Sequence, residues 1–303
     1  MTPSPYAAAL ARIPVREHRT EVLGAETAWW EYGEPGDPVL VLVHGFRGDH
    51  HGLEPVIAHL PGLRIISPDL PGFGASAPLA GRAHDIDGYA AWLRAFLVET
   101  VPAGAYTLLG HSFGSIVASA AVAGGLRPDR LVLVNPIGAP ALEGPRGVMT
   151  RLAVLYYRLG ALLPPRLGFW LLRNRLIVRV MSVTMAKTKD PELRRFIHDQ
   201  HDRYFSAFAD RDMLLEAFRA SVSHDVREFA GNIPVPTLLV AADRDDITPI
   251  EAERELVTRF PDGRLAEIEG VGHLIHYETP EQAAGHIRAF LGAVASDAPE
   301  ATA

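Results

Sequence analysis

Residues 108–116 read LLGHSFGSI. Gly110, Ser112 and Gly114 alternate between an apolar run and a run of small residues ending at Gly125. A strand that turns sharply into a helix needs this spacing. Small residues at 110 and 114 let strand and helix approach, while Ser112 takes the strained turn and holds its hydroxyl out as a nucleophile. The helix N-terminus that follows favours developing negative charge. A hydroxyl attacks poorly without a base, and the chain offers thirteen histidines. His273, in EGVGHLIHYETPE, follows the last strand-like run, at the kind of strand end where open α/β sheets carry their sites. His276 is expected to start or flank the next helix, and His44 and His111 to hold loops beneath the site. An imidazole base needs an acceptor to fix its tautomer. Asp243, Asp245 and Asp246, at the end of another strand-like run, are the candidates.

The elements that must position these groups are legible from hydrophobic period. Apolar, β-rich runs occur at 15–22, 28–32, 39–43, 63–68, 106–109, 131–135, 237–242 and 264–268, several bounded by Gly and Pro turns. From residue 39 on, helical stretches separate them, which predicts a mostly parallel, roughly eight-stranded sheet with helices on both faces. The first two runs are close enough to pair antiparallel. Between 138 and 232 the alternation gives way to helical patterns, broken at Pro164-Pro165 and at Asp190-Pro191. The expected organisation is a core of 1–137 and 233–293, an inserted α-helical cap of 138–232, and a frayed tail at 294–303.

Six segments resemble, in order, the blocks of the α/β-hydrolase superfamily: VLVHGF (41–46), ISPDLPGFGAS (66–76), LLGHSFG (108–114), VLVNP (132–136), DRDDITP (243–249) and GHLIHYETPE (272–281). The resemblance covers about 35–137 and 233–292 and does not reach usefully into the cap. It implies the order Ser112, Asp, His273. It selects Asp245, four residues before Pro249, as the acid, with Asp243 as second choice. It also implies that the main-chain N–H groups of Phe46 and Phe113 form an oxyanion hole, with their rings expected to line an acyl pocket. The implied activity is hydrolysis of a carboxylic ester or thioester through an acyl-enzyme, without cofactor. A carbon–carbon bond hydrolase or cofactor-free perhydrolase would use the same triad. A non-catalytic binding protein on the same scaffold is the alternative of another class. Serine at the elbow argues against members with an aspartate nucleophile, such as haloalkane dehalogenases and epoxide hydrolases.

Other patterns carry less. GFGASA (72–77) fits a dinucleotide fingerprint, but Pro78 interrupts the helix that a phosphate would need. His50 and His51, being adjacent, are expected to point apart, and His198 with Asp202 to lie on a solvated helix face, so no metal site is expected. The absence of cysteine excludes disulfides and thiolate chemistry. The net charge of −7 argues mildly against general nucleic-acid binding, and the resemblance implies a small acyl substrate as the partner. No secretory signal is visible, so a cytoplasmic location is expected. Residues 101–126 lack charge, but glycines and a change of period argue against a membrane span. Residues 146–195 hold eleven Lys or Arg against two acidic residues, so a peripheral contact of this basic segment with anionic lipid is a further expectation.

Overall fold

The structure is a computed structural model that describes residues 3–101, 104–140 and 147–296. Its strands are β1 (Val15–Val22), β2 (Ala25–Tyr32), β3 (Val39–Val43), β4 (Arg64–Pro68), β5 (Tyr106–His111), β6 (Arg130–Val134), β7 (Thr237–Ala242) and β8 (Gly263–Ile268). They form one eight-stranded sheet in the order β1-β2-β4-β3-β5-β6-β7-β8. β2 pairs antiparallel with both β1 and β4, and the remaining pairs are parallel. The parallel strands read as continuous apolar runs because both faces are covered. In β3, Val41 and Val43 enter the core on one face, while Leu40 and Leu42 enter the core on the other.

Two short helices, α1 (Ala7–Leu10) and α2 (Glu54–Ile57), precede α3 (Ile86–Thr100). The Asp85 carboxylate caps α3 by accepting from the Gly88 N–H. Next comes α4 (Phe113–Ala123), buried from Phe113 to Val122 and packed on β3, β5 and α3. Its Ala, Ser and Gly side chains let it come this close.

Between β6 and β7 lie α5 (Gly147–Leu162), α6 (Pro165–Leu172), α7 (Arg175–Met185), α8 (Pro191–Tyr204), α9 (Arg211–Ser223) and α10 (Arg227–Ala230). The sequence pattern of 166–186 suggests one helix. Asn174 divides it, because its side-chain oxygen accepts from the N–H groups of Leu176 and Ile177 and starts α7. The core resumes with α11 (Ile250–Val257), α12 (Ile275–Glu278) and α13 (Pro280–Ser296). α13 thus runs into the segment expected as a tail. The rest of that tail, from 297, lies outside the described residues, as does 141–146 of the expected cap.

Candidate active site

Ser112 sits between β5 and α4 with φ 53° and ψ −119°, a left-handed conformation that a non-glycine residue adopts only when its surroundings enforce it. The enforcement is visible. The Ser112 N–H donates to the Val134 carbonyl, and its own carbonyl accepts from the Ser115 N–H and hydroxyl. A Cβ on Gly114 would stand 2.2 Å from the Val43 carbonyl oxygen, and one on Gly110 would stand 2.4 Å from that of Gly114. Only glycine permits β3, β5 and α4 to meet so closely.

The turn aims the Ser112 hydroxyl at His273, whose Nε2 lies 2.8 Å from Oγ. On the other side, His273 Nδ1 lies 2.7 Å from Asp245 Oδ2. Both His273 and Asp245 are buried. Asp245 Oδ1 is held by the Ile247 N–H at 2.6 Å and the Thr248 N–H at 3.4 Å. The three residues come from β5–α4, the loop after β7 and the loop after β8, all at C-terminal strand ends. The other carboxylates point elsewhere. Asp243 accepts from the Gly270 N–H at 2.7 Å, joining the loops after β7 and β8, and Asp246 pairs with Lys187.

The loop after β3 closes the site from above. The Leu70 N–H donates to His44 Nε2, so the buried, neutral ring carries its proton on Nδ1 and donates to the Gly45 carbonyl. Burial, first of all, lowers the pKa of His44. Gly45 runs against His111 and Ser112. Among the described residues, neither the Phe46 nor the Phe113 N–H donates to a protein acceptor. Both residues line a cavity of about 930 Å³ that opens on Ser112 and His273, although Phe113 is 1% exposed and packs edge-on against Tyr89 in the core. The cavity's apolar wall includes Met181, Met185, Val222 and Leu274.

Three features were not read from the sequence. Arg47, in the same loop, is 1% exposed, and among the described residues no carboxylate pairs with it. Its Nε donates to the Phe205 carbonyl at 2.7 Å and its Nη2 to the Leu172 carbonyl at 2.9 Å. These oxygens end α8 and α6, where the helix dipoles are negative, so two helix C-termini take the place of a counter-ion. Glu253 of α11 is 2% exposed, and its carboxylate makes no hydrogen bond among the described residues. Burial first, and the Asp245 charge second, raise its pKa well above the usual carboxylate range. His111 and His276 lie with ring centroids 4.1 Å apart beside the site, their planes tilted by 60°. Burial pushes His111 down to about 3 and His276 well below its ordinary value.

Two expectations need correction. His50 and His51 do not diverge. A 3₁₀ turn capped by Asp49 brings their rings to 3.9 Å, and Asp49, His50 and His51 present ligand-type atoms within 4.8 Å of one another. The histidine Nδ1 atoms, however, already face carboxylates, His50 on Asp69 and His51 on Asp49. The face carrying His198 and Asp202 is not solvated either, because α8 packs it against α7. His198 Nδ1 meets the Ser182 hydroxyl at 2.6 Å, and Asp202 pairs with Arg179.

The chain matches the model of the alpha/beta hydrolase family over residues 40–285. It is 31% identical over 278 residues to the dihydrolipoyllysine-residue acetyltransferase component of the acetoin cleaving system of Pseudomonas putida, covering 90% of this chain and 68% of that one. It is 34% identical over 255 residues to a 2-succinyl-6-hydroxy-2,4-cyclohexadiene-1-carboxylate synthase of Salmonella paratyphi A, covering 82% of this chain and 91% of that one. An esterase from Exiguobacterium antarcticum has a similar fold, with a TM-score of 0.74 and 17% identity over 91% of this chain and 100% of that one.

Proposed function

The chain belongs to the alpha/beta hydrolase family, and from that premise we propose that it is a serine hydrolase cleaving a carboxylic ester or thioester through an acyl-enzyme. One observation carries the reading: the continuous hydrogen-bonded series Ser112 Oγ, His273, Asp245. In the proposed mechanism, Ser112 Oγ attacks the acyl carbon and His273 Nε2 takes its proton. Asp245 accepts from Nδ1–H, holds the tautomer and stabilises the imidazolium. The carbonyl oxygen, now negative, receives the N–H groups of Phe46 and Phe113. Collapse expels the alcohol or thiol, which takes the proton from His273 and leaves the acyl group on Ser112. Water, deprotonated by His273, then attacks the acyl carbon, and collapse frees the acid as His273 returns the proton to Ser112 Oγ. The helices between β6 and β7 serve as a cap whose inner side receives the acyl chain.

The test is labelling with a fluorophosphonate probe together with hydrolysis of p-nitrophenyl esters of increasing chain length. The parent protein is expected to be labelled and to turn over. Ser112→Ala is expected to do neither while melting normally, since the hydroxyl faces the cavity rather than filling core volume. Normal hydrolysis by a folded Ser112→Ala protein would falsify the nucleophile assignment.

A further inference from the structure

Of the thirteen large apolar side chains exposed among the described residues, nine fall between residues 152 and 183. They are arranged rather than scattered. On α5, Leu152, Leu155, Leu159 and Leu162 recur at the spacing of a single helical stripe. On α7, Leu176, Val180 and Val183 do the same. Between them α6 exposes Trp170 to 65%. Monomeric soluble proteins rarely leave such a concentration of apolar surface uncovered.

The charges that accompany these stripes have one sign. Residues 147–189 contain eight Lys or Arg and no Asp or Glu. Arg151, Arg158, Arg166 and Arg175 are exposed, and among the described residues none has an acidic partner. On α5, Arg151 and Arg158 project beside the leucine stripe, since residues one position before Leu152 and Leu159 lie about 100° round the helix.

We propose that α5, α6 and α7 form a docking surface for an anionic membrane, entered by the leucine stripes and Trp170 while the flanking arginines meet the headgroups. A bilayer interface offers both halves of this surface their complement: acyl chains for the stripes, and negative headgroups for cations that meet no carboxylate among the described residues. Tryptophan belongs at that boundary. A second copy of the chain fits worse, because a two-fold contact through this face would set the same exposed arginines against one another. The opposite sides of α5 and α7 contribute Ala153, Tyr157, Met181 and Met185 to the cavity. The same helices therefore touch the membrane on one side and the site on the other. On the ester-hydrolase reading, the substrate class is then an acyl ester held in the membrane.

The experiment uses the full chain with phosphatidylcholine vesicles, and with the same vesicles containing phosphatidylglycerol. The protein is expected to co-sediment with the anionic vesicles, less so at high salt, and weakly with phosphatidylcholine alone. Trp170 emission is expected to shift to the blue on binding, and the shift to vanish in Trp170→Phe. Replacing Arg151 and Arg158 by Gln is expected to lower partitioning by about fivefold per charge removed. Leu155→Ser with Leu159→Ser is expected to lower it by about tenfold or more. Both double variants keep the parent rate on a short soluble ester and lose preference for a vesicle-embedded one. Failure to pellet with either vesicle overturns the proposal. So does equal pelleting of parent and variants, or a concentration-dependent dimer that the leucine variant abolishes. Vesicle binding with no hydrolysis of any ester would leave the docking surface standing and remove the hydrolase reading.

Discussion

Asp245→Asn isolates one atom of the proposed site. The replacement is isosteric, so the question is which way the amide faces. Two main-chain N–H groups, of Ile247 and Thr248, donate to the Oδ1 position and so require an acceptor oxygen there. The amide nitrogen is thereby driven to the Oδ2 position, 2.7 Å from His273 Nδ1. A donor at that position requires Nδ1 to accept, which moves the ring proton to Nε2. Nε2 is the atom 2.8 Å from Ser112 Oγ and can then no longer take the serine proton. A wrong tautomer of this kind costs roughly 10⁴-fold in turnover, or about 5.5 kcal/mol of transition-state stabilisation. KM and the melting curve are expected to change little. Asp243→Asn provides the contrast. Its carboxylate oxygen accepts from the Gly270 N–H, and an amide oxygen does the same, so the expected change is within about twofold, the scale of a weak exposed charge. The assay is steady-state hydrolysis of one p-nitrophenyl ester by both variants, with circular dichroism melts. A larger loss in Asp243→Asn, or an Asp245→Asn enzyme within tenfold of the parent, would refute the assignment of the acid.

Burial holds His201 down to about 3, so the folded state keeps it neutral while the unfolded chain titrates it near 6.5. The unfolded state therefore binds more protons between those values. Stability from this group is complete above pH 6.5 and is lost as pH falls toward 3, amounting to about 2 kcal/mol at pH 5. His201→Gln should flatten the fall in unfolding free energy between pH 7 and 5 relative to the parent. The comparison removes shared groups, including Glu253, whose raised pKa acts in the opposite sense; identical slopes would disprove the assignment. Gly114→Ala is expected to destabilise by about 3 kcal/mol and to abolish turnover, because its Cβ would meet the Val43 carbonyl oxygen. Gly285→Ala, in open space on α13, is expected to stabilise slightly; equal melting temperatures for the two variants would contradict the crowding argument.

Most of the parallel strands were legible in the sequence because a buried parallel strand is a short apolar run whose signal is local; β1 and β2 were legible because they lie close together in the chain and pair antiparallel. Ser112 and His273 were legible because the elbow and the post-strand loop are also local. The acid was not. Three carboxylates share one strand end, and choosing Asp245 needed the family pattern before Pro249. The inserted helices were readable as helices but not in their contacts. Asn174 carried a usable signal, a capping residue inside an apolar run. The burial of Arg47 had none, since it depends on segments brought together from far apart in the chain, and neither the burial of Glu253 nor the packing of the His198 face on α7 follows from helical period alone.

Arg47 also bears on how the molecule breathes. Its guanidinium joins the loop bearing Phe46 to the ends of α6 and α8 through hydrogen bonds that only the assembled molecule can make. Peeling those helices away would strand a cation among apolar groups or expose it together with its loop. Sub-global opening of the insertion and loosening of the Phe46 loop are therefore one cooperative event, visible in hydrogen exchange as a shared opening free energy rather than two. By reciprocity, a ligand that grips the Phe46 and Phe113 amides slows exchange in α6 and α8 without touching them.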